Sequence, residues 1–119
     1  MTNTILADCP DAVRAYMRLA GDGDRAAAIV AFADTAHVAD DGRAYNGTTA
    51  VRTWLDRAAS EYTFTTTPLS AAVDANAGRT IVTCHLEGTF PGSPVDLDYR
   101  FDLDSAGRIE RLEIAVHAA

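Results

Sequence analysis

The stretch VDLDYRFDL, residues 95–103, decides the fold, because apolar and polar side chains alternate in it without a break. Successive side chains of a β-strand point to opposite faces of the sheet, so the stretch predicts a strand with one apolar and one charged face. Such a strand belongs to a sheet that buries one face under another layer and keeps the other face polar. The flanking sequence therefore has to supply neighbouring strands and a covering layer.

Neighbouring strands are predicted on both sides of this stretch. Residues 80–90 alternate in the same way, and the sequence Pro-Gly-Ser-Pro at 91–94 predicts a hairpin bend between the two strands. Residues 109–116 predict the last strand, and residues 62–73, rich in threonine and β-branched side chains, predict one further upstream. The second half of the chain thus predicts an antiparallel meander with one apolar face.

The covering layer is predicted from the first half of the chain. Apolar side chains recur at helical spacing in residues 9–20, 25–33 and 48–60, and a brief strand at 36–40 ends at Asp41-Gly42. The buried face of the second helix is predicted to consist of Ala27, Ile29, Val30 and Phe32. We therefore expect an α+β fold in which three N-terminal helices pack on a mostly antiparallel sheet.

Length and charge limit the function. The 119 residues suit one domain, residues 1–119, and the formal charge of −7 makes nucleic acid and membrane surfaces poor partners. No secretory signal is visible, so the expected location is the cytoplasm. Cys9 and Cys84 are far apart and are expected to be reduced thiols, and neither a metal nor a cofactor is expected.

The order of the elements, together with several short strings, resembles the nuclear-transport-factor-2-like superfamily over about residues 9–116. The strings are Gly23-Asp24, Phe32-Ala33-Asp34, Val38-Ala39-Asp40, Gly47-Thr48 with Val51-Arg52, Phe90 to Pro94, and Gly107-Arg108-Ile109. The chain is most similar to the small bacterial members called SnoaL-like and to ketosteroid isomerases. The resemblance implies a curved sheet wrapped by helices around a conical pocket, and a homodimer formed through the outer face of the sheet.

Three residues are candidates for catalysis through this resemblance. Asp40 falls where the isomerases carry their general base, and Tyr16 falls where a tyrosine donates to the developing enolate oxygen. Tyr99 falls where the isomerases place a protonated aspartic acid, so the chain departs from the full steroid-isomerase pattern at this position. Each residue also has a structural interpretation: Asp40 as a solvated turn residue, Tyr16 and Tyr99 as packed aromatics.

The walls of the expected pocket are aromatic and aliphatic, which suits a small hydrophobic ligand. The predicted wall residues are Phe32, Trp54, Leu86, Phe90, Leu97, Phe101, Leu112 and Ile114. The alternative is that these side chains meet and close the core. His37, His85 and the charged residues of 96–102 are expected on the outer face of the sheet, where they could also form the dimer interface.

Two functions stay open at this stage. One is an isomerase- or cyclase-type enzyme that acts on a hydrophobic carbonyl compound with Asp40 as general base. The other is a non-catalytic domain of the same fold that binds a small molecule or a protein, because unrelated activities share this fold.

Overall fold

The computed structural model describes residues 4–21 and 24–117. Two α-helices, α1 (Asp11–Gly21) and α2 (Gly47–Glu61), and two 3-10 helices (Thr4–Leu6 and Arg25–Ala31) accompany six strands. The strands are β1 (Phe32–Asp40), β2 (Arg43–Asn46), β3 (Phe64–Asp74), β4 (Arg79–Gly88), β5 (Val95–Leu103) and β6 (Ile109–Val116). The α+β class and the mostly antiparallel sheet are as the sequence predicts, and β5 and β6 have the predicted bounds.

The six strands form one open sheet in the order β2-β1-β6-β5-β4-β3. Every neighbouring pair is antiparallel except β1 and β6, which run parallel and pair Val38 with Leu112 and Asp40 with Ile114. This parallel pair joins the N-terminal hairpin to the meander. It therefore brings the end of β1 beside the end of β6.

The β1–β2 hairpin is a difference from the sequence prediction, which had only a brief strand at 36–40. Asp41 and Gly42 join the two strands with φ of 53° and 75°. Positive φ at both central positions is what a two-residue hairpin turn requires, and Asp-Gly is a favoured pair for it. The turn thus starts a second strand rather than merely ending the first.

The second predicted helix also differs from its prediction. Residues Arg25–Ala31 form a 3-10 helix, and β1 already begins at Phe32. Because a 3-10 helix repeats every three residues, its buried positions are Arg25, Ala28 and Ala31. The predicted buried residue Val30 is 74% exposed, and Ala27 and Ile29 are only half-buried.

The core lies between the helices and one face of the sheet, here called the inner face. The buried side chains of the inner face include Val82, Cys84, Tyr99, Phe101 and Leu112. Helix α1 contributes Val13, Tyr16 and Met17, and α2 contributes Val51, Trp54 and Leu55, as their spacing predicts. Ala58 is a further apolar position at helical spacing in the predicted helix 48–60, and its side chain lies outside the described residues. Helix α2 comes after two strands, so α1, the 3-10 helix Arg25–Ala31 and α2 do not all precede the sheet as the sequence predicts.

The opposite face of the sheet, the outer face, is polar as predicted. Thr83 donates a hydrogen bond to Asp98 over 2.7 Å, and His85 is within 2.7 Å of Asp96 on the neighbouring strand. His37 is hydrogen-bonded to Asn46. Within residues 4–21 and 24–117, no helix is long and apolar enough to cross a membrane.

Candidate functional site

A cavity of about 770 Å³ opens at the end of the sheet where β1, β4 and β6 finish and β3 and β5 begin. Its lining includes the β1–β2 turn, Trp54 of α2 and Arg25 of the second 3-10 helix. The first residues of β3, the ends of β4 and β6 and the start of β5 complete it. A volume of this size is in the range that encloses a small organic molecule.

Asp40 lies in the wall of this cavity at the last position of β1. Alternation along the strand places Ala36, Val38 and Asp40 on the same face, and the first two are fully buried. Trp54 Nε1 donates a hydrogen bond to Asp40 Oδ2 over 3.0 Å. The bond fixes the orientation of the half-buried carboxylate and occupies one of its two oxygens.

Arg25 also lines the cavity and was not predicted from the sequence. It is 7% exposed, and its guanidinium carbon lies 4.9 Å from the centre of the Trp54 ring. Its Nε is buried without a hydrogen-bond partner among the described residues. Arg25 and Asp40 thus both contact Trp54, one at the ring face and the other at the indole nitrogen.

Tyr99 lines the cavity, 5% exposed, on the inner face of β5. Burial holds the pKa of its phenol well above the usual value, and the nearby Tyr16 adds to this. The phenol is therefore neutral near pH 7 and available as a hydrogen-bond donor. Asp98, the next residue, lies on the outer face as predicted, bonded to Thr83 and His117.

Tyr16 is placed differently from its expected position in the pocket. It is fully buried, is not among the residues that line the cavity, and stacks on Trp54 with ring centres 6.5 Å apart. Its hydroxyl has no hydrogen-bond partner of ordinary geometry among the described residues. Burial raises the pKa of Tyr16, and the nearby Arg25 charge acts in the opposite direction. Tyr16 thus packs directly behind the cavity wall.

The predicted wall residues divide into two groups. Trp54, Leu86, Phe90, Leu97 and Ile114 line the cavity. Phe32, Phe101 and Leu112 do not: they belong to the buried core around Tyr16, because the helices reach the sheet at that level and close the space. The inner face is therefore a filled core at one end and an open cavity at the other.

The two cysteines belong to the buried core and are not among the residues that line the cavity. Cys9 and Cys84 are free and buried, and burial together with Asp98 raises the pKa of Cys84 to about 12. A thiol of that pKa is not an effective nucleophile at neutral pH. Across the described part of the chain, no three His, Cys, Asp or Glu side chains are grouped to hold a metal ion.

Two sequence signals could have pointed to the parts of the site that the prediction missed. Arg25 is the only charged residue of the segment RAAAIVAFA, residues 25–33. If the segment is given the three-residue period of a 3-10 helix, Arg25 shares a face with Ala28 and Ala31. The pair Asp41-Gly42 is a recognised hairpin signal and places Asp41 at the cavity.

These observations define the class of protein: it is an α+β domain with a cavity at one end of an open, mostly antiparallel sheet. A scan of protein-family models gives no match. A search of curated proteins also gives none.

Solved structures match over nearly the whole chain. A "putative polyketide cyclase" from Sinorhizobium meliloti is 36% identical with a TM-score of 0.83, and the match covers 92% of this chain and 97% of the other. The chain belongs to the nuclear-transport-factor-2-like superfamily, which has SnoaL-like and ketosteroid-isomerase-like members.

Two more distant structures share the fold. The epoxide hydrolase/cyclase-like enzyme SalBIII, described in pyran ring formation in salinomycin, is 18% identical with a TM-score of 0.77, covering 90% of this chain and 88% of that one. A protein of ketosteroid-isomerase-like fold from Catenulispora acidiphila, in complex with trimethylamine, is 16% identical with a TM-score of 0.75, covering 89% and 85%. At these identities the likeness concerns the fold alone.

Proposed function

We propose that this protein is an enzyme of isomerase or cyclase type that acts on a small hydrophobic carbonyl compound. The observation that carries the proposal is the Asp40 carboxylate, held in the wall of a 770 Å³ cavity by the 3.0 Å bond from Trp54. A carboxylate fixed beside an apolar ligand can act as a general base. The 36% identity to a structure described as a "putative polyketide cyclase" supports the same class of chemistry.

In the proposed step, Asp40 removes a proton from the carbon next to the substrate carbonyl. The electron pair of the broken C–H bond forms a carbon–carbon double bond, and the carbonyl π electrons move to the oxygen as an enolate. The neutral Tyr99 phenol, which lines the same cavity, donates a hydrogen bond to this oxygen. Return of the proton to a different carbon gives an isomer. Attack of the enolate carbon on a second carbonyl gives a ring, and the new alkoxide takes the proton from Asp40.

Exchange of substrate protons with deuterated solvent tests this step. We would follow a panel of cyclic enones and diketones by NMR with the wild-type protein and with Asp40→Asn, which keeps the shape of the side chain and removes its basicity. General-base catalysis predicts that exchange falls by about 100-fold or more in the variant. Equal rates for the two proteins on every compound that the wild type turns over would refute Asp40 as the base.

A second candidate is a non-catalytic domain that binds a small hydrophobic molecule. The observation that favours it is the position of Tyr16, whose hydroxyl lies behind the cavity wall rather than in it. A binding domain would show ligand-induced thermal stabilisation for compounds that undergo no exchange or conversion. Turnover that depends on Asp40 would exclude this candidate.

We also propose that the protein forms a homodimer through the outer face of the sheet and that it is located in the cytoplasm. The superfamily membership and the polar outer face support a dimer, and sedimentation would measure it. We propose no nucleic-acid or membrane partner for a chain with a formal charge of −7.

A further inference from the structure

The cavity wall contains one cationic side chain, Arg25, among the described residues. Its relative exposure of 7% is far below what is usual for arginine. An arginine that only solubilises the protein surface keeps its guanidinium in water. Burying this charge instead beside a cavity is costly unless a partner compensates for it.

The partners of the Arg25 guanidinium within the described part of the chain compensate for that charge only in part. Trp54 lies under the guanidinium at 4.9 Å, a contact that offsets a fraction of the lost hydration. No carboxylate of the described residues forms an ion pair with Arg25, although Asp40 also contacts Trp54. The Tyr16 hydroxyl lies close to the guanidinium, which acts to lower the pKa of the tyrosine against the effect of burial. The Nε–H of Arg25 nevertheless makes no hydrogen bond of ordinary geometry to a described residue.

Resting on the function proposed above, we infer that the ligand of this cavity carries a carboxylate and that Arg25 binds it. The planar guanidinium presents paired N–H donors that match the two oxygens of a carboxylate. Trp54 contacts Arg25 at its ring face and Asp40 at its indole nitrogen, so the anchoring cation and the base act on different parts of one molecule. Arg25 is then the residue that selects anionic over neutral ligands.

The charges of the cavity favour a monoanion over a phosphate group. Asp40 and Asp41 line the same space and would repel a dianion more strongly than a carboxylate. Leu86, Phe90 and Leu97 suit an apolar body. The substrate class is therefore a hydrophobic carbonyl compound with one carboxylate.

The first test compares two probes of the same shape, 2-naphthoate and 2-naphthamide, by calorimetric titration of the wild-type protein. Binding to Arg25 predicts that the carboxylate binds at least about tenfold more tightly than the amide, since the charge-assisted bidentate contact is lost in the amide. It also predicts that added salt weakens the binding of naphthoate and leaves that of the amide unchanged. Equal affinities, or tighter binding of the amide, would overturn the inference.

Matched variants assign the effect to Arg25. Arg25→Met should remove the preference for naphthoate, Arg25→Lys should keep part of it, and Arg52→Met, at an exposed position of α2, should leave it unchanged. If Arg25→Met does not fold, the naphthoate and naphthamide affinities of Arg25→Lys still test the assignment. Lysine keeps the charge but not the bidentate geometry, so this variant should show a smaller preference for naphthoate than the wild type. A preference that is identical in wild type, Arg25→Lys and Arg25→Met would contradict the assignment.

Asp40→Asn separates this inference from the proposed function. Removing a neighbouring negative charge should tighten naphthoate binding in that variant even where catalysis is lost. If the variant stays active while naphthoate binding needs Arg25, only the catalytic proposal fails. If the variant is inactive while Arg25→Met binds naphthoate as the wild type does, only the carboxylate site fails.

Discussion

At the scale of single residues, Trp54 connects the groups on which the proposals rest. Its nitrogen donates to Asp40, one face contacts Arg25, and its ring stacks on Tyr16. It is 3% exposed, so these contacts are made in a site of low water content. A hydrogen bond to a carboxylate in such a site is stronger than one at the surface. Trp54 is therefore the residue that orients the base.

A double-mutant cycle measures this orientation. Trp54→Phe removes the donor and keeps an aromatic ring, Asp40→Ala removes the acceptor, and we expect a coupling free energy of about 1 kcal/mol from urea unfolding of the four proteins. Trp54→Phe should also lower kcat, because the carboxylate loses its fixed rotamer. Additive losses of stability in the double mutant would show that the bond contributes nothing.

At the scale of elements, the 3-10 helix Arg25–Ala31 decides which side chains reach the site. Its period of three buries Arg25, Ala28 and Ala31 in one straight row, whereas in an α-helix, with about 3.6 residues per turn, the same row drifts around the helix axis. Ala28 is fully buried and Ala26 is exposed. The small side chains let this helix lie close to α1 and α2.

Enlarging one alanine on each face of this helix tests the packing. Ala28→Leu should lower the free energy of unfolding by about 1–3 kcal/mol, because the added atoms have no space in a packed core. The control Ala26→Leu should change it by less than about 0.5 kcal/mol. Equal effects of the two substitutions would mean that the buried face was assigned wrongly.

At the scale of the whole molecule, the two faces of the sheet have different roles. The inner face supplies the core and the cavity, and the outer face carries histidine–carboxylate pairs. His85 lies between Glu87 at 2.9 Å and Asp96 at 2.7 Å, with Thr67 opposite it on β3. Hydrogen bonds to Glu87 and to Asp96 raise the pKa of His85 in the folded protein. Desolvation acts in the opposite direction, and the pKa stays above its usual value.

This arrangement predicts a pH dependence of the global stability. A raised pKa in the folded state stabilises the fold below the unfolded-state value of 6.5, and the contribution disappears as the pH rises through the folded-state pKa. The difference in melting temperature between wild type and His85→Gln should thus be largest near pH 6 and shrink by about pH 8. Glu87→Gln should weaken this trend. A difference that grows with pH would contradict the assignment.

The strands and the polarity of the two faces were determined by the sequence itself. Alternation at 95–103 and 109–116, bounded by turn residues, predicts β5 and β6 to the residue, because strand patterning is a local property. The resemblance also placed Asp40 at the end of β1, where alternation turns it inward. The sequence could not predict the contact of Asp40 with Trp54, since the two residues are 14 positions apart with the turn and β2 between them.

Only the tertiary structure decided what fills the space between the layers. The parallel pairing of β1 with β6, the burial of Arg25 and the position of Tyr16 behind the wall all depend on contacts between distant segments. Local patterning specifies which face of an element is apolar but not how far a neighbouring helix reaches over it. For that reason the sequence predicts the inner face, whereas packing decides where this face is closed core and where it opens into a cavity with Arg25 and Asp40 in its wall.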